Sequence, residues 1–83
     1  MNEDFTILEY LNQSKLRGVR YLVCKYGYGM SIVANRTTGD MEKAQKLVYD
    51  VFFKLWTERK FDNVQPPLRL FLYQEVKKAC RII

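Results

Sequence analysis

A chain of 83 residues, 48% hydrophobic and 28% charged, has the length for one small domain and too much apolar content for a disordered one. No apolar run approaches the ~18 residues of a membrane span, and the start carries Glu3 and Asp4 where a signal peptide would be basic, so neither a membrane-inserted nor an exported chain is expected. The two cysteines and the lack of histidine exclude a disulfide framework and leave no ordinary zinc donor set; the expectation is two buried, reduced thiols in a cytoplasmic protein with no cofactor.

The net charge of +5 is unevenly placed. Residues 1–14 carry Glu3, Asp4 and Glu9 and no base, whereas residues 15–39 carry Lys15, Arg17, Arg20, Lys25 and Arg36 and no acid. Residues 40–63 balance the two signs, and residues 64–83 set Arg69, Lys77, Lys78 and Arg81 against Glu75. A polyanion is one partner that suits such a distribution; an ordinary solvated surface is the other reading.

Residues 3–12 predict a short first helix. Its narrow apolar edge is either Phe5, Leu8 and Leu11, or Ile7 with Leu8 and Leu11, and its early acids suit the positive end of the helix dipole. Asn12-Gln13-Ser14 reads as a turn, with Ser14 as a cap for the next helix. From Lys15 the apolar positions Leu16, Val19, Val23, Tyr26, Met30 and Val33 step by three and four, which predicts a long second helix widened by Leu22 and Ile32. Arg17, Arg20 and Lys25 should stay solvated. Gly27 and Gly29 in its middle point to a kink, a close helix approach or a break into two helices. Thr37-Thr38-Gly39 ends it, with glycine suited to a left-handed cap.

The third helix, Met41 to Arg59, has the strongest pattern. Ala44, Leu47, Val48, Val51, Phe52, Leu55 and Trp56 form one buried stripe, with Lys43, Lys46, Asp50, Lys54 and Thr57 opposite. Asp40 is placed to cap it, and Arg59 falls in its last turn. Tyr49 and Phe53, four apart on the flank, are either covered by another helix or form part of a partner surface. Lys60 to Gln65 is a polar loop around Phe61, with turn chemistry at Asp62-Asn63. Pro66-Pro67 opens a fourth helix whose inner stripe is Leu68, Leu72, Val76, Ala79 and Ile83, with Phe71 and Ile82 beside it. Arg69, Tyr73, Lys77 and Arg81 fall four apart on its outer face. Such a row either follows a phosphate backbone, with the ring stacking on a base, or is simply a wet helix face. The chain ends on this helix in Ile82-Ile83 without a cap, as the N-terminal part of a longer protein would. The pattern as a whole predicts an all-α domain of three to four packed helices. With no histidine and with scattered carboxylates it presents no acid–base constellation, so binding rather than catalysis is expected.

The ordered set Leu22 to Asp40, Ala44, Val48, Val51-Phe52, Lys54-Leu55-Trp56 and Leu72-Tyr73 resembles region 2 of the extracytoplasmic-function branch of the sigma-70 family, the bacterial transcription initiation factors. The likeness runs from about Ile7 to Ile83 and is similar in style to factors of the Bacteroides group. It implies two jobs. The third helix would bind the clamp of the RNA polymerase core β′ subunit through Gln45, Lys46, Tyr49, Asp50 and Phe53. The following loop and the fourth helix would recognise and melt the promoter minus-ten element as single-stranded DNA, through Phe61, Asp62, Asn63, Val64, Arg69, Tyr73, Lys77, Lys78 and Arg81. An anti-sigma factor is a further partner that the resemblance implies. The chain departs from the family in having Gln45 and Lys46 where acids are usual, Tyr49 where glutamine is, and Lys78 where asparagine is. The rival readings are a divergent sigma-like domain serving as a protein-interaction module, and a basic helical domain that binds nucleic acid without sequence preference.

Overall fold

The computed structural model describes residues 3–13 and 16–81, and every regular element among them is helical. In chain order these are α1 (Glu3–Asn12), α2 (Leu16–Leu22), a π-helical segment (Val23–Gly27), α3 (Tyr28–Thr38), α4 (Met41–Thr57) and α5 (Leu68–Cys80). Because α2, the π segment and α3 follow one another without interruption, the described residues form an all-α bundle of four helices. α3 is central: it packs on α4 and on α5, while α1 lies chiefly against α2. The radius of gyration is 12.1 Å, against about 12 Å for a close-packed chain of this length. The expected Ser14 cap, Lys15, and the ends of the inner stripe at Ile82 and Ile83 lie outside the described residues.

α4 forms as its periodicity demands. Ala44, Val48 and Phe52 are fully buried, Leu55 nearly so, and Leu47, Val51 and Trp56 pack at the edge of the core. The Asp40 carboxylate accepts from the N–H groups of Glu42 (2.9 Å) and Lys43 (3.3 Å), the expected cap. Gly39 ends α3 with φ 70° and donates its N–H to the Asn35 carbonyl, so two helices meet in a turn of two residues. α4 stops at Thr57, earlier than expected. Arg59 lies beyond its last turn with φ 59°, its N–H bonded to the Trp56 carbonyl and that of Lys60 to the Leu55 carbonyl. This is a Schellman closure with arginine in the left-handed position that glycine usually fills.

The second helix departs from a regular seam. Gly18, Val19, Leu22, Gly27, Met30, Ser31 and Ala34 face the core, Val23, Tyr26 and Val33 are half-buried, and Leu16 and Ile32 are exposed. A π turn takes up one residue more than an α turn, so the buried face shifts as the chain passes it. Gly27 allows that shift. A Cβ there would lie 3.2 Å from Val23 Cγ1 and 3.5 Å from the Tyr49 ring. The Ser31 hydroxyl donates to the Gly27 carbonyl at 2.7 Å inside the core. Gly27 therefore marks the close helix approach, with α4 pressed against a local π widening, and the helix runs on without a break.

One tie spans the molecule. In α1 the buried edge is Ile7, Leu8 and Leu11, and Phe5 is exposed; the surprise is Asp4, only 3% exposed. Its carboxylate accepts from Tyr26 Oη (2.6 Å), Lys25 Nζ (3.0 Å) and the Leu68 backbone N–H (3.0 Å). Leu68 is the first residue of α5, and Pro67 before it offers no side-chain cap, so Asp4 caps α5 from another helix. Lys25 is exposed, as expected, yet its ammonium is held on this carboxylate. Burial alone would push the Asp4 pKa up, but the hydrogen bonds from Tyr26, Leu68 and Lys25 outweigh it and hold the carboxyl below its ordinary range. The same contact, as a hydrogen bond to Asp4, raises Lys25, while burial followed by the bond to Asp4 raises Tyr26.

Replacing Asp4 orphans a buried N–H at a helix start. Asp4→Ala should cost about 2–3 kcal/mol in urea unfolding, and Asp4→Asn about half that, since an amide oxygen still accepts from Leu68. The folded carboxyl titrates below the unfolded one, so its stabilisation is complete above an unfolded pKa of about 3.9 and fades as pH falls through the folded value. The wild-type protein should lose stability over that acid window, and Asp4→Asn should lose distinctly less.

Candidate protein and nucleic-acid interfaces

The expected protein-binding residues lie together on the outer flank of α4. Lys46, Tyr49, Asp50 and Phe53 are exposed and Gln45 is half-buried. Tyr49 and Phe53 keep 45% and 50% of their surface in solvent, so the idea that another helix covers them fails. α5 packs against a different side of the bundle. The two rings are not loose, however. Tyr49 rests against Gly27, and Phe53 meets Trp56 edge to face with centroids 5.5 Å apart. An aromatic pair held by its own scaffold and still wet is the composition of an interface core. Lys46 and Asp50 border it, with Lys43 and Lys54 farther round the exposed face of α4. Lys43, Lys46 and Asp50 also line a cleft of about 350 Å³ where α4 leaves Thr37 and Thr38.

The expected nucleic-acid residues divide. Arg69, Tyr73, Lys77 and Arg81 are all exposed along one face of α5. Lys77 Nζ lies 5.9 Å from the centroid of the Tyr73 ring, and Tyr73, Gln74, Lys77, Lys78 and Arg81 line a trough of about 270 Å³. Lys78 is turned to Glu75 at 3.1 Å, so part of its charge is already answered. The opposite face of α5 supplies Leu68, Leu72, Val76 and Cys80 to the core, Cys80 being buried as expected and Ala79 only half-buried. No family model, curated protein or solved structure matches this chain.

The loop after α4 corrects one expectation. Asp62 and Asn63 face outward and Val64 is half-buried, but Phe61 is 2% exposed and stacks edge to face on Phe71 at 5.6 Å. A large ring in a polar loop gains more from the core than from solvent, and α5 offers Phe71 to receive it. Phe61 thus anchors the loop, and in this conformation it presents no surface to a ligand. The Arg59 guanidinium (Nε) donates to Asp62 at 2.8 Å and braces the loop from outside.

Several features have no signal in the sequence. Tyr10 and Tyr21 meet edge to face at 5.5 Å, with the Arg17 guanidinium 5.8 Å from the Tyr10 ring. Cys24, expected to be buried, is exposed beside a cleft of about 380 Å³ lined by Glu3, Thr6, Ile7, Tyr21 and Lys25. Its position lies between Val23 and Tyr26, off the apolar seam. Among the described residues no helix is long and apolar enough to cross a membrane.

Phe61→Ala should cost about 3–4 kcal/mol in chemical denaturation, as a core ring does, whereas Asn63→Ala two residues later should stay within about 0.5 kcal/mol.

Proposed function

We propose that this chain is a transcription-initiation domain of the sigma region 2 kind, binding the β′ clamp of core RNA polymerase through α4 and single-stranded minus-ten promoter DNA through α5 and the loop before it. It binds and does not catalyse. The observation that carries this reading is the outward presentation of two chemically different faces on one bundle. An aromatic pair flanking Asp50 lies on α4, and a cationic row interrupted by Tyr73 lies on α5. A domain that holds a protein and an unpaired strand at once needs both. The rings suit a desolvated protein contact, and the spaced cations with one ring suit phosphates and a stacked base. The sequence resemblance assigns the same two faces to the same two partners.

One feature supports a second reading. Lys46 stands beside the aromatic pair, and of Gln45, Lys46, Tyr49, Asp50 and Phe53 only Asp50 keeps the sign that a basic clamp helix attracts. A divergent domain that has exchanged polymerase for an acidic protein partner would carry this charge.

Retention of core polymerase by the immobilised chain separates the two. Under the first reading, Tyr49→Ala and Phe53→Ala each weaken retention about fivefold or more while stability falls by only about 1 kcal/mol. Lys46→Glu should then strengthen it. No retention of core enzyme by the wild type, or weaker retention with Lys46→Glu, rejects the polymerase assignment. For DNA, Lys77→Ala and Arg81→Ala should each lower the salt slope of single-strand binding by about 0.7. Equal affinity for minus-ten and scrambled strands would favour binding without sequence preference.

A further inference from the structure

Gly29 is the one glycine of four that the fold does not require. At Gly18 a Cβ would come 2.8 Å from the Leu11 backbone nitrogen, at Gly27 it would press on Val23, and Gly39 has a positive φ. Gly29 has none of these reasons. It sits in regular helix near the start of α3, and a Cβ there would meet nothing within 4 Å. Glycine inside a helix costs about 1 kcal/mol relative to alanine, so stability alone would fill this position.

The open space beside Gly29 is a groove between α3 and the start of α5. Gly29, Met30 and Val33 form one side, and Pro67, Arg69, Leu70 and Tyr73 the other, around about 510 Å³. That volume falls in the range of about 300–1,000 Å³ typical of ligand sites. Met30 forms a buried apolar floor, while Leu70 and Tyr73 are 59% and 40% exposed. Tyr73 also borders the trough of Gln74, Lys77, Lys78 and Arg81. Its ring therefore divides an apolar slot from a cationic trough, and Arg69 places a further positive charge at the slot itself.

We propose that the α3–α5 groove receives an unpaired base of a single-stranded nucleic acid, with the Tyr73 ring stacking on the base, Lys77 and Arg81 following the phosphates, and Gly29 leaving the base its room. Charge decides between occupants. An apolar peptide or a second copy of this chain would fill the groove but has no need of a cationic row along its edge, whereas a base arrives attached to phosphates. The proposal rests on the DNA-binding half of the proposed function. It places the base on the side of α5 that faces α3, and not on Phe61, which is committed to the core.

The test uses the whole chain and a short fluorescent single strand, intact or with its bases removed, read by anisotropy at low salt. The wild type should bind the intact strand about tenfold or more tightly than the abasic one, in keeping with the size of base–aromatic stacking. Gly29→Leu should bind both strands alike, with an unchanged salt slope and a melting temperature at or above that of the wild type. Gly29→Ala should melt several degrees higher and keep most of the preference. Tyr73→Leu should lose most of it. A Gly29→Leu protein that still prefers the intact strand overturns the groove assignment and leaves the phosphate row standing. A wild type that binds neither strand removes the DNA-binding reading and the groove together. A wild-type dimer, seen by sedimentation and dissolved by Gly29→Leu, would assign the groove to a second copy and overturn the proposal.

Discussion

The contact on which the bundle depends is the carboxylate of Asp4. Three parts of the chain converge on it: α1 supplies the acid, the π segment supplies Lys25 and Tyr26, and α5 supplies the N–H of Leu68. A buried charge is costly unless its hydrogen bonds are met, and here the donors include an ammonium, a phenol and a helix start. The energetic effect reaches beyond local stability. α5 begins at Leu68, after Pro67, with no cap of its own, so Asp4 helps to fix where that helix starts and how its outer face is turned. The cationic row of α5 is therefore set in part by a residue 64 positions away in sequence.

The two outward faces are possible because the core is built without them. Ala44, Val48 and Phe52 satisfy the inner side of α4, and Leu68, Leu72 and Val76 satisfy that of α5. Tyr49 and Phe53 add little to the core, yet neither moves freely, since one lies on Gly27 and the other on Trp56. Rings held in place before binding lose less freedom when a partner covers them. The π segment takes part in this arrangement. It brings Gly27 beneath Tyr49 while it carries Lys25 and Tyr26 to Asp4, so a single irregular turn joins the α4 face to the α5 cap.

Much of this is legible along the chain, and the reasons are local. The stripe of α4, its Asp40 cap and the Gly39 turn are written in residues a few positions apart, and helical geometry alone converts them into structure. The exposure of Arg69, Tyr73, Lys77 and Arg81 follows from the same arithmetic, because Leu68, Leu72 and Val76 claim the other face. Features that depend on residues far apart are not legible in this way. Asp4 reads only as an acid that suits the dipole of α1, and nothing local foretells its burial as the cap of α5. Phe61, expected to face DNA, is drawn into the core by Phe71, and Cys24, expected to be buried, is exposed.

By itself, then, the order of residues determined the helical class, the bounds of α1 and α4 to within two residues and the sorting of inner from outer faces on α4 and α5, because these follow from interactions within one or two turns. Only tertiary packing decided which acid would be buried, which ring would anchor a loop, and that a groove would open beside Gly29. Those outcomes require two surfaces to meet, and no periodicity within one segment encodes the shape of the other.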